Sequence, residues 1–383
     1  MTTVPVSGRL TIGVLPPLGG SLTSLHESGQ VKRLVDYYFP SYLERFDRIL
    51  LFSSCRESLA DFTDDRALLR RAAVVPPPGD KQGRTACLAR LVNTRVLRSC
   101  SVLRAMQAPG ALPALTARVP LVVTYGYSYR DVSRYAGRPA WVEAPRQLAL
   151  TGVLSAALRR ATVTLLTNPA LEQEARRLGA RRVSLIPNGV PLDLFAANGR
   201  HVEPTADVVV LGRLSNEKNV GLIARAAAHI DQRLRVRVIG DGPLRAELEA
   251  AFTAAGCEAT FLGTVPYAEL TPLLRAASVY VLPSSTEGRA KALLEAMACG
   301  LPCVVSDIPA FKDIVAAGAA VSFPPGDERA LADILTRLLA DPDRRAALGA
   351  LGRAFVENTA DLGHALAEET SMLAAVAAKG ATT

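Results

Sequence analysis

The sequence has few aromatic residues and no long apolar run. Aromatic side chains make up 5% of the 383 residues. They are not interleaved with arginines, so the stacking platform typical of single-stranded nucleic-acid binding is missing. No apolar stretch approaches the ~18 residues that a membrane-spanning helix needs. The start, MTTVPVSGRLTIGVLPP, has no basic segment before an apolar one, so we find no export signal. We therefore expect a cytoplasmic protein with no nucleic-acid partner.

Patterns that form metal sites or disulfides are also scarce. Six cysteines lie at positions 55, 87, 100, 257, 299 and 303, without a CxxC pair. A reducing compartment is the default expectation, with Cys299 and Cys303 as small apolar fillers of a core. No DxD metal motif stands where it would be needed, because Asp64 and Asp65 lie in a polar helical stretch. We expect neither a metal ion nor a cofactor.

Charge is distributed unevenly along the chain. Residues 1–200 contain 27 Lys+Arg against 14 Asp+Glu, whereas residues 201–383 contain 17 against 22. A basic first half indicates an anionic partner, and an anionic membrane surface or a phosphate-bearing acceptor fits this charge. The alternative is an arginine-rich composition without a specific partner. Under the first interpretation, the protein contacts the inner face of the membrane peripherally.

Short β-branched runs alternate with amphipathic helical patterns, and 49% of the residues are hydrophobic. Continuous apolar strands separated by helices predict parallel sheets that are covered on both faces. We therefore predict an α/β protein with two Rossmann-like domains whose sheets face each other across a cleft. The predicted strands span 10–16, 48–54, 72–77, 120–126, 162–168 and 182–188, and then 207–213, 235–241, 259–264, 279–285, 302–307 and 320–323.

We place the domain boundary where helical and strand periodicity are both lost, at 194–207. The first domain then covers residues 1–190 and the second covers residues 203–360. A terminal amphipathic helix at about 361–383 is expected to pack back on the first domain.

The stretch SSTEGRAKALLEAMACGLP follows a predicted strand and contains two acids eight residues apart, Glu287 and Glu295. The turn between strand and helix presents N–H groups to an anion, and Gly288 permits close approach of a ligand. If all intervening residues were helical, the carboxylates would be ~12 Å apart along the axis, more than the ~5–9.5 Å of paired glycosidase carboxylates. They would then contact different parts of one long ligand, such as a nucleotide sugar. The structural alternative makes Glu287 a helix N-terminal acid and Glu295 a solvated residue.

Two cations follow the first strand of the second half, in VVVLGRLSNEKN. Arg213, after Gly212, offers a bidentate fork and Lys218 a point charge, a pair that suits a diphosphate. Solvated loop cations are the alternative. The next strand ends in the turn Gly-Asp-Gly at 240–242, which resembles the dinucleotide fingerprint, but Arg245 replaces its third glycine. We interpret these glycines as turn residues.

The loop PPLGGSLTSLHESGQVKRL follows the first strand of the chain. Its glycines Gly19, Gly20 and Gly29 could bring backbone amides near a phosphate, whereas a plain connection or a flexible acceptor loop is the alternative. His26 is the only histidine near a predicted strand edge, and a solvated histidine is the commoner case.

Taken in order, LGRLSNEKN, VIGDGPLRAELE and ALLEAMACGLPCVVSD resemble the second domain of glycosyltransferase family 4, a family of retaining enzymes with the GT-B fold. The likeness is strong over about 182–345, beginning at IPNGV, and loose over the first half. It implies metal-independent transfer of a sugar from a nucleotide-diphosphate sugar to an acceptor hydroxyl, in glycan or glycoconjugate biosynthesis. The anomeric configuration would be retained, with the leaving phosphate as base. The nucleotide sugar is then a co-substrate, and the acceptor is expected to be anionic or lipid-linked.

The resemblance also assigns roles to residues. Arg213 and Lys218 would hold the donor diphosphate and Glu287 would contact the transferred sugar, so we take these three as catalytic. Glu295 would bind the ribose hydroxyls and Val265 would lie near the base. Backbone groups complete the implied donor site, at Gly29, Gly212, Gly288, Arg289 and Ala290.

The chain departs from the family pattern in two places. After the strand PLVVT many members carry a histidine, where this chain reads YGYSYRD. Tyr127, Arg130 or His26 is the candidate replacement on the acceptor side. Between the two acids the chain reads GRAKALL, where Arg289 and Lys291 add positive charge that favours an anionic sugar or acceptor.

Two other functions stay open at this point. A non-catalytic nucleotide-sugar-binding relative is supported by the missing histidine, and a sugar-nucleotide epimerase would use the same fold without an acceptor. A NAD-dependent oxidoreductase would need an intact GxGxxG followed by an acid ~20 residues later, and the chain has neither.

Overall fold

The computed structural model describes residues 9–135, 138–195 and 203–380. Contacts within the chain divide these residues into two units. The first unit contains residues 9–126, 139–186 and 366–380, and the second contains the rest of the described chain. Residues 127–135, which the sequence analysis places inside the first domain, group with the second unit.

The described part of the first unit forms a seven-stranded parallel sheet in the order β3-β2-β1-β4-β5-β6-β7. The side chains of its central strands are almost completely buried, as expected of a sheet covered on both faces. The strands are β1 (Thr11–Leu15), β2 (Arg48–Phe52), β3 (Ala72–Val75), β4 (Val102–Ala105), β5 (Leu121–Tyr125), β6 (Val163–Leu166) and β7 (Val183–Leu185).

Helices and short 3₁₀ segments connect these strands. A π-helical segment at Leu34–Tyr38 joins two short α-helices. A largely buried 3₁₀ segment at Ala108–Ala114 joins β4 to β5. The helices in chain order are α1 (Leu22–Glu27), α2 (Val31–Arg33), α3 (Phe39–Leu43), α4 (Arg66–Arg71), α5 (Gly83–Val92), α6 (Tyr129–Arg134), α7 (Ala140–Arg160) and α8 (Glu172–Arg177).

The second unit contains a six-stranded parallel sheet in the order β10-β9-β8-β11-β12-β13 among its described residues. Its strands are β8 (Ala206–Leu211), β9 (Arg235–Ile239), β10 (Glu258–Gly263), β11 (Ala277–Leu282), β12 (Cys303–Ser306) and β13 (Val321–Phe323). The helices that follow are α9 (Gly221–Ala227), α10 (Arg245–Ala254), α11 (Leu270–Arg275), α12 (Lys291–Ala298), α13 (Lys312–Ala316), α14 (Glu328–Ala340), α15 (Pro342–Thr359) and α16 (Leu362–Gly380).

Two parallel sheets with covering helices confirm the predicted α/β class, but one central strand was not predicted. Each of the twelve predicted strands has an observed counterpart, whereas β4 lies between β1 and β5 with no predicted equivalent. Its sequence, VLRA, carries Arg104 in a buried position. The charged residue interrupts the apolar run that the prediction relies on.

Arg104 is accommodated by a buried ion pair with α16. Its Nε and Nη2 donate to the two carboxylate oxygens of Glu369 at 2.7 and 3.2 Å, and both side chains are 7% exposed. Tyr42 donates its hydroxyl to the same carboxylate at 2.5 Å. Burial raises the pKa of Tyr42 well above its usual value, and the Glu369 charge adds to this. Three buried polar groups therefore satisfy one another and fix α16 to the first unit.

The cysteines behave as apolar residues. All six are free, and every one except Cys55 is buried. Burial and the nearby Glu295 charge raise the pKa of Cys299 to about 12, and burial raises that of Cys303 well above its usual value. Both thiols therefore stay protonated at neutral pH. Within the described ranges, no helix combines the length and the hydropathy that crossing a membrane requires.

We expect Glu369→Gln to lower the free energy of unfolding by about 3–5 kcal/mol, because it leaves the buried Arg104 without a compensating charge. Urea unfolding of the full chain measures this. Glu368→Gln is the matched control, since Glu368 is exposed on the same helix, and it should change the free energy by no more than about 0.5 kcal/mol. Equal, small effects of the two substitutions would contradict a structural role for the ion pair.

Candidate functional site

The strand order of the second unit creates a topological switch point between β8 and β11. From β8 the chain proceeds to β9 and β10 on one side, and from β11 it proceeds to β12 and β13 on the other. Open parallel sheets bind ligands outside the carboxyl ends of the strands at such a point. The loop that follows β8 contains Arg213 and Lys218, and the loop that follows β11 contains Glu287. The fold thus brings the three predicted catalytic residues to its most favourable ligand position.

An ion pair joins the two loops. Lys218 Nζ lies 2.5 Å from Glu287 Oε1, with side chains that are 23% and 9% exposed. Ser284, which is completely buried, donates its hydroxyl to the same oxygen at 2.8 Å. The backbone N–H of Ser285 donates to the carbonyl of Glu217 at 2.8 Å. Glu287 Oε1 therefore accepts from two side chains, while Oε2 has no hydrogen-bond partner among the described residues.

Arg213 differs from Lys218 in its surroundings. It is exposed, and no described residue lies within hydrogen-bond or ion-pair distance of its guanidinium. It follows Gly212, whose φ of 151° is in the range that favours glycine. The predicted pair of cations therefore consists of one open guanidinium and one ammonium that is already neutralised by a carboxylate.

The N-terminus of α12 lies beside this ion pair. The N-cap residue is Ala290, whose own side chain makes no capping hydrogen bond. Backbone N–H groups at such an end carry a partial positive charge that stabilises an anion. Because the helix begins at Lys291, the axial spacing assumed from the sequence applies only from there to Glu295, about 6 Å. The condition behind the estimate of ~12 Å, a helix over all the residues between the two acids, is therefore not met.

The side chain of Arg289 is not part of this positive surface, and our interpretation of its charge was wrong. It is 4% exposed, with Nη1 only 2.5 Å from Asp313 Oδ2, and its guanidinium lies over the ring of Phe355 at 5.6 Å. Asn188 donates its amide to the Arg289 carbonyl at 2.9 Å. Arg289 thus anchors the loop after β11, and only its backbone remains a predicted phosphate contact.

Glu295 is buried rather than solvated, which excludes the structural alternative for this residue. It is 4% exposed and accepts a hydrogen bond from the Tyr267 hydroxyl at 3.0 Å. Tyr280, on β11, is also buried, and burial together with the nearby charges of Glu287 and Glu295 raises its pKa well above the usual value. Both predicted acids therefore lie near the same buried phenol at the end of β11.

The glycines at 240 and 242 hold the loops after β8 and β9 together. A Cβ at Gly240 would lie 2.0 Å from the Gly212 carbonyl oxygen, and one at Gly242 would lie 2.3 Å from that of Leu214. The N–H of Leu214 donates to the Asp241 carbonyl at 3.0 Å. These contacts leave no space for a side chain, so the glycines have the structural role that we assigned to them.

Residues 195–355 match the family model described as glycosyl transferases group 1. This match covers less than half of the chain, and we call residues 195–355 the group 1 domain. Among curated relatives, a GDP-mannose-dependent alpha-(1-6)-phosphatidylinositol dimannoside mannosyltransferase of Mycobacterium tuberculosis is 32% identical over 58% of this chain and 61% of its own length. This chain spans only 36% to 61% of the length of four curated relatives that it matches. The predicted glycosyltransferase resemblance is confirmed, and family 4 within it stays a prediction.

Solved structures show the same fold as the whole chain. Sucrose-phosphate synthase from Thermosynechococcus elongatus has a TM-score of 0.78 at 21% identity, covering 97% of this chain and 100% of that one. Anabaena HepE in complex with UDP and glucose has a TM-score of 0.75 at 18% identity, covering 96% and 100%. The predicted GT-B class of two Rossmann-like domains is therefore confirmed.

The first unit contains Gly29 and His26. Gly29 has a φ of 69° and follows Ser28, the C-cap of α1, and its N–H donates to the His26 carbonyl at 2.9 Å. The N–H of Gln30 donates to the Leu25 carbonyl at 2.7 Å. This pattern ends a helix, so the structure gives Gly29 a helix-ending role, and its part in donor binding stays a prediction. His26 is exposed, with its ring 5.9 Å from that of Phe62.

The backbone N–H groups at the end of the loop after β1 already donate to a side chain of the protein. Glu57 accepts hydrogen bonds from the N–H groups of Leu22 and Thr23 at 2.7 and 2.9 Å, at the start of α1. The hydroxyl of Ser53 donates to the same carboxylate at 2.5 Å. A carboxylate of the protein therefore occupies the position that a phosphate would take at this helix end.

Tyr127 and Arg130 belong to the same unit as the group 1 domain. The ring centroids of Tyr127 and Tyr129 are 4.4 Å apart, and burial raises the pKa of Tyr127. Arg130 is exposed on the first turn of α6. Asn216, in the loop after β8, donates its amide to the Tyr135 carbonyl at 3.0 Å. The segment that replaces the family histidine is thus attached to the loop that carries Lys218.

Sequence reasoning missed Ser284, Tyr267 and Tyr280. Their partners in the chain are three to 69 residues away, at Glu287, Glu295 and the carbonyl of Leu211. Ser284 directly precedes the predicted acid motif and was the one residue whose position signalled a role. Val265 is partly buried against the core of the group 1 domain, and its proximity to the base stays a prediction.

We expect Gly242→Ala to lower the free energy of unfolding by about 1–3 kcal/mol, because its Cβ would displace the backbone of the loop that carries Arg213. Nucleotide affinity should fall in parallel, as measured by titration calorimetry. Gly221→Ala is the matched control, since its Cβ would meet Leu248 at an ordinary 3.5 Å. A variant of Gly242 with unchanged stability would show that the loops move apart without cost.

Proposed function

We propose that the protein transfers a sugar from a nucleotide-diphosphate sugar to an acceptor hydroxyl, with retention of the anomeric configuration and without a metal ion. The observation that carries this proposal is the ion pair of Lys218 and Glu287, beside the open guanidinium of Arg213, at the switch point of the sheet. A diphosphate and a sugar are the ligand groups that these cations and this acid bind.

Departure of the diphosphate creates negative charge that the protein has to stabilise. Arg213, Lys218 and the partial positive charge at the start of α12 supply fixed positive potential near the switch point. Such preorganised groups stabilise a developing charge without reorganising during the reaction. This set of positive groups supports transfer that does not depend on a bound cation.

Glu287 is suited to binding the transferred sugar rather than to attacking it. Its Oε1 is held by Lys218 and Ser284, which reduces the electron density available for nucleophilic attack. Its Oε2 is left to accept a hydrogen bond from a sugar hydroxyl. The base for the incoming acceptor is then an oxygen of the departing phosphate, on the same face as the leaving group. This arrangement gives retention.

Glu295 and Tyr267 would hold the nucleoside end of the donor. Burial fixes the Glu295 carboxylate near β11, and the Tyr267 hydroxyl orients it. Relatives support a nucleotide sugar in general but not one base, because HepE was solved with UDP and glucose whereas the mycobacterial relative is named for GDP-mannose. That relative acts on a phosphatidylinositol dimannoside, which supports an anionic, lipid-linked acceptor.

Glu287→Gln and Lys218→Met should each lower kcat/KM by about 10²-fold or more, the effect of losing one charged contact in the transition state. Nucleotide release from a nucleotide sugar measures this. The control is Arg225→Met with Glu328→Gln, because these residues form an exposed ion pair in the same unit, 2.9 Å apart. Near-normal turnover of either site variant would refute the assignment.

The transferred sugar should keep its anomeric configuration, and turnover should be unchanged by a metal chelator. NMR of the glycoside product reads the configuration directly. An inverted product would require a carboxylate base in place of the phosphate oxygen. Loss of activity with chelator that Mg²⁺ restores would reject metal independence.

A non-catalytic nucleotide-sugar-binding relative and a sugar-nucleotide epimerase remain the alternatives. The absence of histidine from the segment that follows β5 favours the first of them. Donor incubated without an acceptor separates them, since an epimerase converts it to a new sugar nucleotide and a binding protein returns it unchanged. The proposed transferase requires an acceptor for rapid turnover.

A further inference from the structure

Exposed apolar side chains of the first unit are concentrated on two helices. On α5, Leu88 is 54% and Val92 is 89% exposed, and on α7, Trp141 is 80% and Leu148 is 76% exposed. Leu88 and Val92 are four residues apart, whereas Trp141 and Leu148 are seven apart, so each pair shares one side of its helix. Soluble surfaces rarely present several large apolar groups together without a partner.

Both helices cover the same face of the sheet. Helix α5 connects β3 to β4 and α7 connects β5 to β6, and both connections run in the same direction along the strand order. Right-handed crossovers in one direction place their helices on one face. Both also pack against the 3₁₀ segment Ala108–Ala114, which they bury. Their outward sides therefore belong to one surface of the first unit.

The positive charge of the first half of the chain comes from this region. Residues 1–80 contain nine Lys+Arg and nine Asp+Glu, whereas residues 81–160 contain 13 Lys+Arg against two Asp+Glu. One of these two acids, Glu143, is paired with Arg146 at 3.2 Å. Exposed cations on or beside the two helices are Lys81, Arg84, Arg95, Arg98, Arg118 and Arg146.

We infer that this basic-apolar face, formed by the outward sides of α5 and of the first half of α7, docks on an anionic lipid bilayer. Cations attract the face to anionic headgroups, and the exposed Trp and Leu side chains enter the interfacial region. Tryptophan prefers this depth because its ring is apolar and its N–H is polar. A nucleic acid or an acidic protein would account for the charge but not for four large apolar groups in water. The docking does not depend on the proposed sugar transfer.

The chain itself contains a probe for this inference. Trp141 is its only tryptophan, so intrinsic fluorescence reports on the basic-apolar face alone. Emission should shift to the blue, and lipids brominated on the acyl chain should quench it, when phosphatidylcholine vesicles containing phosphatidylglycerol are added. Vesicles of phosphatidylcholine alone should give little change. Raising NaCl from about 0.1 M to about 1 M shortens the Debye length from about 10 Å to about 3 Å and should release the protein.

Substitutions separate the two components of the face. Leu88→Ser with Leu148→Ser should weaken partition into the anionic vesicles about tenfold or more, because two exposed leucines no longer enter the interface. Arg84→Glu with Arg95→Glu should weaken it to a similar extent. The controls are Leu351→Ser, which removes an exposed leucine of the second unit, and Arg66→Glu with Arg70→Glu, which reverses exposed cations on α4. Circular dichroism and unchanged thermal midpoints show that each variant folds.

Four results would overturn the inference. The protein could fail to sediment with anionic vesicles, or could sediment without a change in Trp141 emission, which would assign binding to another surface. Equal binding to neutral vesicles would exclude the role of the cations. A blue shift that follows protein concentration in the absence of vesicles would show that a second copy of the chain covers this face.

Discussion

The fold of the first unit depends on a buried ion pair between residues that lie far apart in the sequence. Arg104 lies on the central strand β4, where an uncompensated guanidinium would be strongly destabilising. Glu369 supplies the compensating negative charge through two hydrogen bonds from the guanidinium. Tyr42 donates a third hydrogen bond to the same carboxylate. The interaction determines where α16 lies, because only that helix brings the carboxylate into the sheet layer. A terminal helix thus completes the interior of a unit that starts at the other end of the chain.

In the candidate site of the second unit, only part of the charge is paired. Lys218 and Glu287 neutralise each other, whereas the guanidinium of Arg213 has no partner among the described residues. Donor binding would therefore change the partner of Lys218 from a carboxylate alone to a carboxylate and a phosphate. The surrounding glycines at 240 and 242 and the anchored side chain of Arg289 keep the loops fixed while this exchange occurs. Rigidity and charge are therefore supplied by separate residues.

Much of the fold and part of the site could be predicted because they depend on local patterns. Continuous apolar runs gave twelve strands, and the placement of Arg213, Lys218 and Glu287 after two of them followed from strand order. The failures involve distant partners. Strand β4 was not predicted because its short apolar run contains the charged Arg104, whose burial depends on the ion pair with Glu369. Arg289 was interpreted as an added positive charge because its ion pair with Asp313 is not visible in the sequence. The sequence left a solvated Glu295 open as an alternative, because its burial beside Tyr267 depends on residues 28 positions away. A single sequence carries no signal for such pairings.

The ion pair of β4 and α16 also affects how the chain is made. Arg104 and Glu369 are 265 residues apart. At a synthesis rate of about 5–20 residues per second, Arg104 leaves the ribosome about 10–50 s before its partner. During that interval the nascent first sheet holds an uncompensated charge, while the whole of the second unit emerges behind it and has time to fold. The unit that is begun first is therefore completed last, after the second unit has left the ribosome.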